Sequence, residues 1–415
     1  MHLLLIHQSF PGQFRDLAPA WLAFGHQITA IGSMAEAPAG AQWHGLRYIQ
    51  YQLQEEPSPL ERGWAVARLV QQLLDSDHPP DLVMSHSAWG EALCLKKVCR
   101  HRPWISYPEL WGHPRALGFG FDHALDGLAP DPSVFCSANL VTELAVIQSS
   151  AAIVASRSQM RSFPEPLQQR LTQIPEGVDL NRIMPDPSAC LTLPEQQLVF
   201  EAGQPLVTFI SRDLEPLRGL RQLLQAWPLV SQAIPDAQLV LVGSQGQGYS
   251  LQRPKGQNHL DDALEQLSDT LDRRRIHCLG PLPHAAMLTL LQCTACHVAL
   301  SYPYTLSWSV LEALACAAPI VSNPDSPVAV ELGPEASNVL SLAAFNDAGD
   351  VAAAIITLLR QPQQARALGA AGRAWIERFG SLNQALKNYE KLFQQLREQV
   401  VTEAAPRTKP SNAQS

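Results

Sequence analysis

The chain has 415 residues, of which 46% are hydrophobic and 16% charged, and its 30 Lys and Arg against 38 Asp and Glu give a net charge of −8 at pH 7. This length exceeds one compact core of ordinary size and favours two domains. The acidic balance and the lack of any basic block in the sequence argue against a nucleic-acid partner, because phosphate backbones are bound through clustered cations.

Eight cysteines are scattered through the sequence, mostly within apolar runs. Cys293-x-x-Cys296 has no second Cys or His pair at zinc spacing, so we expect reduced thiols, no metal site and a cytoplasmic protein. The N-terminal residues lack a cationic leader, and polar residues interrupt every apolar run well before the roughly 18 residues of a membrane span. We expect no spanning segment, and peripheral contact with the inner face of the membrane stays open.

Short apolar runs alternate with longer amphipathic segments along the first half of the chain. The runs typical of strands are residues 3–6, 28–31, 82–85, 104–106 and 151–155. Helices are predicted around residues 14–24 and 63–74. This alternation predicts a parallel sheet with helices on both faces.

A Pro-rich polar passage over residues 181–205 predicts the domain boundary, and the alternation restarts after it. The later strands are predicted at residues 206–210, 238–242, 276–279, 296–300 and 319–322. The later helices are predicted at residues 220–234, 285–291, 306–316, 350–360 and 382–400.

The whole pattern predicts an α/β chain of two tandem Rossmann-like domains, each a doubly wound parallel sheet, that face a central cleft. The first domain is predicted over residues 1–190 and the second over 200–380. Residues 381–400 are predicted as a helix that returns to the first domain, and residues 401–415 as a disordered tail. Ligands of such sheets bind at the carboxyl ends of the strands.

Residues 301–327 have the pattern of a ligand-binding turn followed by a helix that begins near Leu306 or Ser307. A helix that starts at the carboxyl end of a parallel strand points free amides and the positive end of its dipole at the cleft, where phosphate binds. Ser307 and Ser309 would then face a diphosphate, and Glu312 a ribose. The alternative is that Ser307 is only an N-cap and Glu312 a solvated carboxylate.

Polar side chains also follow the strands of the first domain. The turn at Pro11 and Gly12 lets the backbone approach a ligand closely. His86 and Trp89 follow a buried strand and could contact a sugar hydroxyl and a sugar ring, and Glu109, after the next strand, points toward the same cleft. The alternative for each of these residues is a structural role.

In the second domain the segment SRDLEPLRG places Arg212 and Arg218 six residues apart, around the start of a helix. Two guanidinium groups can clamp a diphosphate and stabilise the charge of a departing nucleotide, and surface ion pairs are the alternative. Gly243 begins a Gly-rich loop that departs from the GxGxxG order, and we expect it beside the nucleotide. The sequence contains no P-loop, zinc-protease, serine-elbow or kinase motif.

Together, the segments HQSFPGQF, HSAWGE, PEGVD, SRDLEPLRG, QLVLVG, HCLGPLPHAAML and YPYTLSWSVLEALACAAPIV resemble family-4 glycosyltransferases of the two-Rossmann, or GT-B, fold. The bacterial subgroup that opens with HQ-x-FPGQF is the most similar, and the resemblance covers residues 1–395. It implies a retaining transfer of a sugar from a UDP- or GDP-sugar to a glycan, lipid-linked or small-molecule acceptor, with neither a metal nor another cofactor.

The resemblance also implies roles for individual residues. Arg212 and Arg218 would hold the donor diphosphate and Glu312 the ribose. The expected donor-binding residues are Gly12, Arg212, Arg218, Gly243, Tyr304, Leu306, Ser307, Trp308, Ser309 and Glu312. The expected catalytic residues are Arg212, Arg218, Glu109 and His86. His284 and His297 are expected to be structural.

One position departs from the family pattern. Members commonly carry a Glu eight residues before the position of Glu312, where this chain has Tyr304, so the contact to a donor-sugar hydroxyl changes and the donor stays open. Two alternatives to transfer are therefore kept. One is a non-redox nucleotide-sugar epimerase, with Glu109 and Glu91 as candidate acid and base, and the other is a non-catalytic nucleotide-sugar-binding partner of a transferase.

Overall fold

The computed structural model describes residues 1–55 and 57–404, which form two lobes, each built around one parallel sheet. The strands of the first lobe are β1 (His2–Ile6), β2 (Gln27–Gly32), β3 (Leu46–Gln50), β4 (Leu82–His86), β5 (Trp104–Tyr107), β6 (Ala151–Val154) and β7 (Leu171–Gln173). Its helices are α1 (Leu17–Ala23), α2 (Pro59–Leu74), α3 (Leu95–Val98), α4 (Ser133–Gln148), α5 (Arg157–Ser162) and α6 (Glu165–Gln168).

The second lobe adds a small antiparallel hairpin to its parallel sheet. Its strands are β8 (Cys190–Leu193), β9 (Leu198–Glu201), β10 (Leu206–Asp213), β11 (Gln238–Ser244), β12 (Ile276–Gly280), β13 (Cys296–Val298), β14 (Ile320–Ser322) and β15 (Leu340–Leu342). The helices that follow in chain order are α7 (Leu220–Ala233), α8 (His259–Gln266), α9 (His284–Cys293), α10 (Trp308–Ala315), α11 (Pro327–Leu332), α12 (Ala336–Val339), α13 (Ala348–Arg360), α14 (Pro362–Phe379) and α15 (Leu382–Ala404).

Both parallel sheets have the strand order of a doubly wound fold. The first runs β3-β2-β1-β4-β5-β6-β7 and the second β12-β11-β10-β13-β14-β15, so each sheet is built outward in both directions from its first parallel strand. The central strands are covered on both faces; in β1, residues 3–6 have no exposed surface, which explains their unbroken apolar run. The predicted pair of doubly wound parallel sheets is confirmed.

Three strands that lie at sheet edges were not predicted from the sequence. These are β3 and β7 at the two edges of the first sheet and β15 at one edge of the second. Most of their residues are only partly buried, so their apolar runs are broken by polar side chains. A pattern that relies on continuous apolar runs therefore detects the centre of a sheet and misses its margins.

The passage over residues 181–205 is not a plain linker, which corrects the boundary predicted there. Strands β8 and β9 pair antiparallel within it, with Leu191 opposite Phe200. Both side chains are buried in the core of the second lobe. Each of the two strands is only four residues long and lies near prolines, so the turn signal dominated the sequence.

The two C-terminal helices pack on different lobes. Trp375 and Ile376 of α14 belong to the core of the second lobe. Helix α15 packs on the first lobe, where the rings of Tyr389 and Phe393 lie 5.4 and 5.6 Å from that of Trp21. Because α15 continues to Ala404, the tail predicted from residue 401 is wrong for residues 401–404, and residues 405–415 lie outside the described part of the chain.

Within residues 1–55 and 57–404, none of the helices combines the length and the apolar character that crossing a lipid bilayer requires.

Candidate active site

A cavity of about 470 Å³ lies between the two lobes. Its walls are loops that leave the carboxyl ends of strands in both sheets, as the doubly wound topology predicts. The side chains and glycines on which its chemistry depends are Gln13, Arg15, Glu109 and Glu176 from the first lobe, and Arg212, Arg218, Gly243, His284, Leu306, Ser307, Trp308, Ser309, Glu312 and Glu331 from the second.

The start of α10 forms one wall of the cavity. The helix begins at Trp308, so Ser307 occupies the N-cap position, but the Ser307 side chain makes no capping hydrogen bond. Its hydroxyl lies 2.9 Å from that of Ser309, which donates to the carbonyl of Ile210 at 3.0 Å. The first amides of a helix have no carbonyl partner within it, so this end of α10 carries partial positive charge toward the cavity.

Arg218 is held against the loop that precedes α10. Its Nη1 donates to the backbone oxygen of Thr305 at 2.9 Å and to the hydroxyl of Ser301 at 3.3 Å. Burial lowers the pKa of this guanidinium, although an arginine keeps its charge in any protein environment. The structure therefore fixes a cation beside the start of the helix.

Arg212 lines the same cavity with a more exposed side chain, 66% of which is accessible. Its Nε donates to Asp213 at 2.8 Å, and its guanidinium lies 4.6 Å from the ring centre of Tyr249. Gly243 lies nearby, where a Cβ atom would come within 2.4 Å of the oxygen of Ser211. The two predicted arginines thus share one cavity but differ in how firmly they are held.

Glu312 is buried, with 1% of its surface exposed, and it accepts hydrogen bonds from both lobes. Its Oε1 accepts from Arg15 of the first lobe at 2.9 Å and from His284 at 2.8 Å. Arg182 donates to Nδ1 of His284, so the ring proton that reaches Glu312 sits on Nε2. His284 was expected to be structural; it lines the cavity instead, and a lone histidine in the sequence carries no signal of this contact.

Arg15 was not found from the sequence, although it joins the two lobes. Its guanidinium also pairs with Asp16 at 2.8 Å and lies 4.3 Å from the ring centre of Trp308. The two sides of the contact with Glu312 are 297 residues apart in the chain, so no local pattern could reveal it.

Glu176, also missed by the sequence analysis, makes a second contact between the lobes. Its carboxylate accepts from Trp308 Nε1 and, at 3.0 Å, from the hydroxyl of Tyr107. Burial raises the pKa of Glu176 to about 7, because taking the carboxylate out of water disfavours its charge more than the two hydrogen bonds favour it. The position of Trp308 is thus set by a carboxyl group whose charge changes near neutral pH.

Glu109 and His86 form a pair at the first-lobe side of the cavity. Glu109 lines the wall with a left-handed backbone, φ 61°, which is uncommon for a residue other than glycine and costs about 1–3 kcal/mol. His86 Nε2 donates to Glu109 Oε2 at 3.1 Å, while the His86 ring stacks on Trp89 at 4.5 Å. A strained carboxylate that a buried imidazole orients is typical of a site for a specific ligand.

Within the described part of the chain, three of the predicted site residues do not line the cavity. His86 lies behind Glu109. Gly12, with φ 46°, packs against the ring of His7, where a Cβ atom would come within 2.2 Å of Nε2. Tyr304 lies behind Arg218, with its ring 5.6 Å from that of Tyr249.

His7 fixes the turn that contains Gly12. The amide of Ser9 donates to its Nδ1 at 2.9 Å, so Nε2 carries the proton and donates to Gln13 at 2.6 Å. Burial, and then the neighbouring His86, lower the pKa of His7 to about 3. A neutral imidazole therefore positions Gln13, which lines the cavity.

Two other residues lie away from the cavity: Glu91, a candidate acid or base, and His297, which was expected to be structural. Glu91 has no exposed surface and accepts from the hydroxyl of Tyr51 at 2.6 Å, so it cannot act on a ligand in the cleft. His297 is buried in β13, 3.0 Å from the hydroxyl of Thr208, and burial lowers its pKa to about 4. Within the described residues, no group of three or more His, Cys, Asp or Glu side chains is arranged to hold a metal ion.

Models of known families match both lobes. Residues 25–183 match the glycosyl transferase family 4 group, and residues 204–361 match the glycosyl transferases group 1. Together they cover more than two thirds of the chain. The chain belongs to the family-4 glycosyltransferases. The FPGQF turn precedes the matched residues, so the subgroup assignment stays a prediction.

Two curated relatives of this family-4 glycosyltransferase are mannosyl- or glycosyltransferases by name. The GDP-mannose-dependent monoacylated alpha-(1-6)-phosphatidylinositol monomannoside mannosyltransferase of Corynebacterium glutamicum is 27% identical over 213 residues, 49% of this chain and 51% of its own. The D-inositol 3-phosphate glycosyltransferase of Segniliparus rotundus is 27% identical over 310 residues, 71% of this chain and 64% of its own. The matched part of the chain thus spans between half and two thirds of their lengths.

A solved structure supports the fold. The Anabaena protein Alr3699/HepE, crystallised in complex with UDP and glucose, superposes with a TM-score of 0.71 at 18% identity, over 95% of this chain and 100% of its own. The two lobes and their order in the chain are therefore those of the GT-B fold.

Proposed function

We propose that this protein transfers a sugar from a nucleotide-sugar donor to an acceptor, with retention of the configuration at the anomeric carbon. The observation that carries the proposal is the cavity between the lobes, where Arg218, Arg212 and the free amides of α10 surround one space. Such a concentration of positive charge at the carboxyl end of a parallel sheet suits a nucleoside diphosphate. Family membership supports the same assignment.

In this proposal the donor diphosphate lies against Arg218, the amides of Trp308 and Ser309, and the hydroxyl of Ser307. Arg212, which is more exposed, closes over the same phosphates from the outer side. As the bond to the sugar breaks, negative charge grows on the leaving diphosphate, and donors fixed in advance lower the energy of that state. The guanidinium groups and the helix amides provide this charge without a bound cation.

Glu312 is proposed to bind the ribose. Arg15 and His284 both contact Oε1, which leaves Oε2 as the oxygen that faces the ribose hydroxyls. Because the two contacts come from different lobes, the carboxylate is held on both sides before the donor arrives. Its role is to fix the nucleotide, and the chemical step takes place at the sugar.

The reacting sugar is proposed to lie beside Glu109, which His86 orients from behind. Retention of configuration is proposed to follow from attack of the acceptor on the face that the diphosphate leaves, with a donor phosphate oxygen accepting the acceptor proton. This route needs no second carboxylate as nucleophile. Gln13, which His7 positions, faces the same part of the cavity and can bind a hydroxyl of either sugar.

The base and the acceptor are left to experiment. One relative is GDP-mannose-dependent by name, and HepE was crystallised with UDP and glucose, so guanine and uracil nucleotides are both to be tested. The names of the relatives mention phosphatidylinositol monomannoside and D-inositol 3-phosphate, which supports testing lipid-linked and small polyol acceptors first.

The test begins with calorimetric titration of UDP and GDP, followed by incubation of the protein with UDP- and GDP-sugars and these acceptors. We expect one nucleotide to bind, and NMR of the product to show the anomeric configuration of the donor sugar. The Arg218→Ala variant should bind the nucleotide about 10- to 100-fold more weakly. If neither nucleotide binds the native protein, and neither transfer nor donor hydrolysis occurs, the proposed function is wrong.

A nucleotide-sugar epimerase is the second candidate, because two carboxyl groups of the first lobe, Glu109 and Glu176, line the cavity. Epimerisation needs an acid and a base near the sugar. Glu176 replaces Glu91 as the second candidate group, since Glu91 lies away from the cavity. Release of a free 2-epimer from a UDP-sugar without acceptor would favour this activity over transfer.

A further inference from the structure

A segment of the first lobe crosses the cleft and is anchored in the second lobe. It contains two short helical turns, Pro114–Leu117 and His123–Leu125, and we name residues 114–125 the strap. Phe121 is the one residue from before residue 207 in a core cluster that otherwise belongs to the second lobe. Its ring lies 4.9 Å from that of Phe345 and 5.7 Å from that of Tyr302.

Polar contacts fix the strap as firmly as the apolar ones. Asp122 has 1% of its surface exposed, and its carboxylate accepts from Arg221 and from the hydroxyl of Tyr302. The side chain of Asn346 accepts from the amide of His123 at 3.1 Å and donates to the carbonyl of Phe121 at 2.6 Å. A buried carboxylate with two partners from the opposite lobe is costly to separate from them.

The partner of Asp122 belongs to the loop that holds Arg218. Tyr302 lies between Ser301, whose hydroxyl contacts Arg218 Nη1, and Thr305, whose carbonyl accepts from it. The amide of Tyr302 also donates to the carbonyl of Leu217, the residue before Arg218, at 2.9 Å. The Tyr302 hydroxyl is therefore held by Asp122 of the strap, and the Tyr302 backbone is held by Leu217, the neighbour of Arg218.

The chain approaches this tyrosine too closely for any residue but glycine at one position. Gly118 has φ 95°, and a Cβ atom there would lie 2.5 Å from the Tyr302 ring. The strap thus encloses Tyr302 with the backbone of Gly118, the ring of Phe121 and the carboxylate of Asp122.

We propose that the strap is a positioning element of the donor site: through the Asp122–Tyr302 contact, the first lobe sets the loop of residues 301–305 and hence the place of the Arg218 guanidinium. The proposal rests on the proposed function, because it gives Arg218 the donor diphosphate as its ligand. Asp122, Phe121 and Tyr302 touch no donor atom and act only through this loop. The first lobe thereby takes part in binding the donor.

The test uses Tyr302→Phe, which removes only the hydroxyl and leaves the Asp122–Arg221 pair in place. Asp325→Asn is the matched control, since it removes the charge from another pair between the strap and the second lobe, the exposed pair of Asp325 with Arg115. Calorimetry with UDP and GDP, ligand-observed NMR with uridine and guanosine, and hydrogen exchange of residues 301–305 are measured for each variant.

We expect Tyr302→Phe to weaken binding of the diphosphate about fivefold, the effect of one lost hydrogen bond, and to speed exchange in the loop, while nucleoside binding stays unchanged. Asp325→Asn should change none of these values. The proposal is overturned if Tyr302→Phe leaves diphosphate binding and exchange as they were, or weakens diphosphate and nucleoside equally, as general destabilisation would. If the native protein binds neither nucleotide, the proposed function fails, and the exchange rates alone decide whether the strap fixes the loop.

Discussion

Replacing Glu312 with Gln separates the ribose contact from the rest of the donor site. The change keeps the size of the side chain and removes its negative charge. In the proposed complex Oε2 accepts from the ribose hydroxyls, so an amide in its place weakens or reverses that contact. We therefore expect Glu312→Gln to weaken binding of UDP or GDP, and to have little effect on an analogue that lacks the 2′ and 3′ hydroxyls.

The magnitude follows from the partners of Glu312. A hydrogen bond to a charged group contributes about 1.5–3 kcal/mol, so the ribonucleotide should bind about 10- to 150-fold more weakly. The loss of folding free energy should be smaller, about 1–2 kcal/mol, because neither neighbour is left as an unpaired buried cation. Arg15 keeps its pair with Asp16 at 2.8 Å, and His284 keeps its contact with Arg182 at 3.1 Å.

The assay is calorimetry of the native protein and of Glu312→Gln with each ribonucleotide and its 2′,3′-dideoxy analogue. Glu331→Gln is the matched control, because Glu331 also lines the cavity but is bound to Gln173 at 2.7 Å and to the amide of Arg157. Glu331→Gln should change the affinity for the ribonucleotide and the affinity for its dideoxy analogue equally. An equal loss for ribo- and dideoxynucleotide in Glu312→Gln would refute the assignment of the ribose to this carboxylate.

Three further results are expected. In calorimetry, Arg218→Ala should weaken the binding of nucleoside diphosphate about 10- to 100-fold. Arg212→Ala should weaken it less, since Arg212 is largely exposed. Equal losses of affinity in the two variants would contradict this ranking. The folded state keeps the Glu176 proton up to about pH 7, whereas the unfolded chain releases it near the ordinary value of 4.5, so the free energy of unfolding should fall by up to about 3 kcal/mol as pH rises between these values. In urea titrations, Glu176→Gln should reduce this dependence of the unfolding free energy on pH, and Glu36→Gln, at an exposed site, should leave it unchanged. An unchanged pH dependence in Glu176→Gln would show that Glu176 is not its cause. Gly12→Ala should lower the melting temperature, because the alanine needs a left-handed φ and meets the His7 ring; an unchanged temperature would show that the turn adapts.

The sequence was informative wherever one segment carries its own signal. Buried central strands such as β1 produce unbroken apolar runs, and the start of α10 combines a strand, a turn and hydroxyl side chains in one stretch. Edge strands are only half buried, so β3 and β15 left no such run. The hairpin of β8 and β9 is too short, and lies too close to prolines, for its alternation to exceed the turn signal.

The site residues that the sequence analysis missed are those whose partners lie in the other lobe. Arg15 and Glu176 stand in ordinary turns after β1 and β7, and the residues next to them in the chain give no sign of their contacts with the other lobe. Each gains its role only when the lobes meet, Arg15 against Glu312 and Glu176 against Trp308. Patterns of spacing within one domain cannot contain this information.

The consequence is that the donor site is not a property of the second lobe alone. If the lobes moved apart, Glu312 would lose Arg15 and keep only His284, and the indole of Trp308 would lose its acceptor on Glu176. Glu312 would then keep one of the two hydrogen bonds to its Oε1, so the carboxylate proposed to bind the ribose would be held less firmly. Closure of the lobes therefore also completes the nucleotide site. A ligand that binds the closed arrangement better than the open one shifts the equilibrium toward closure, by the difference in its binding free energy for the two states.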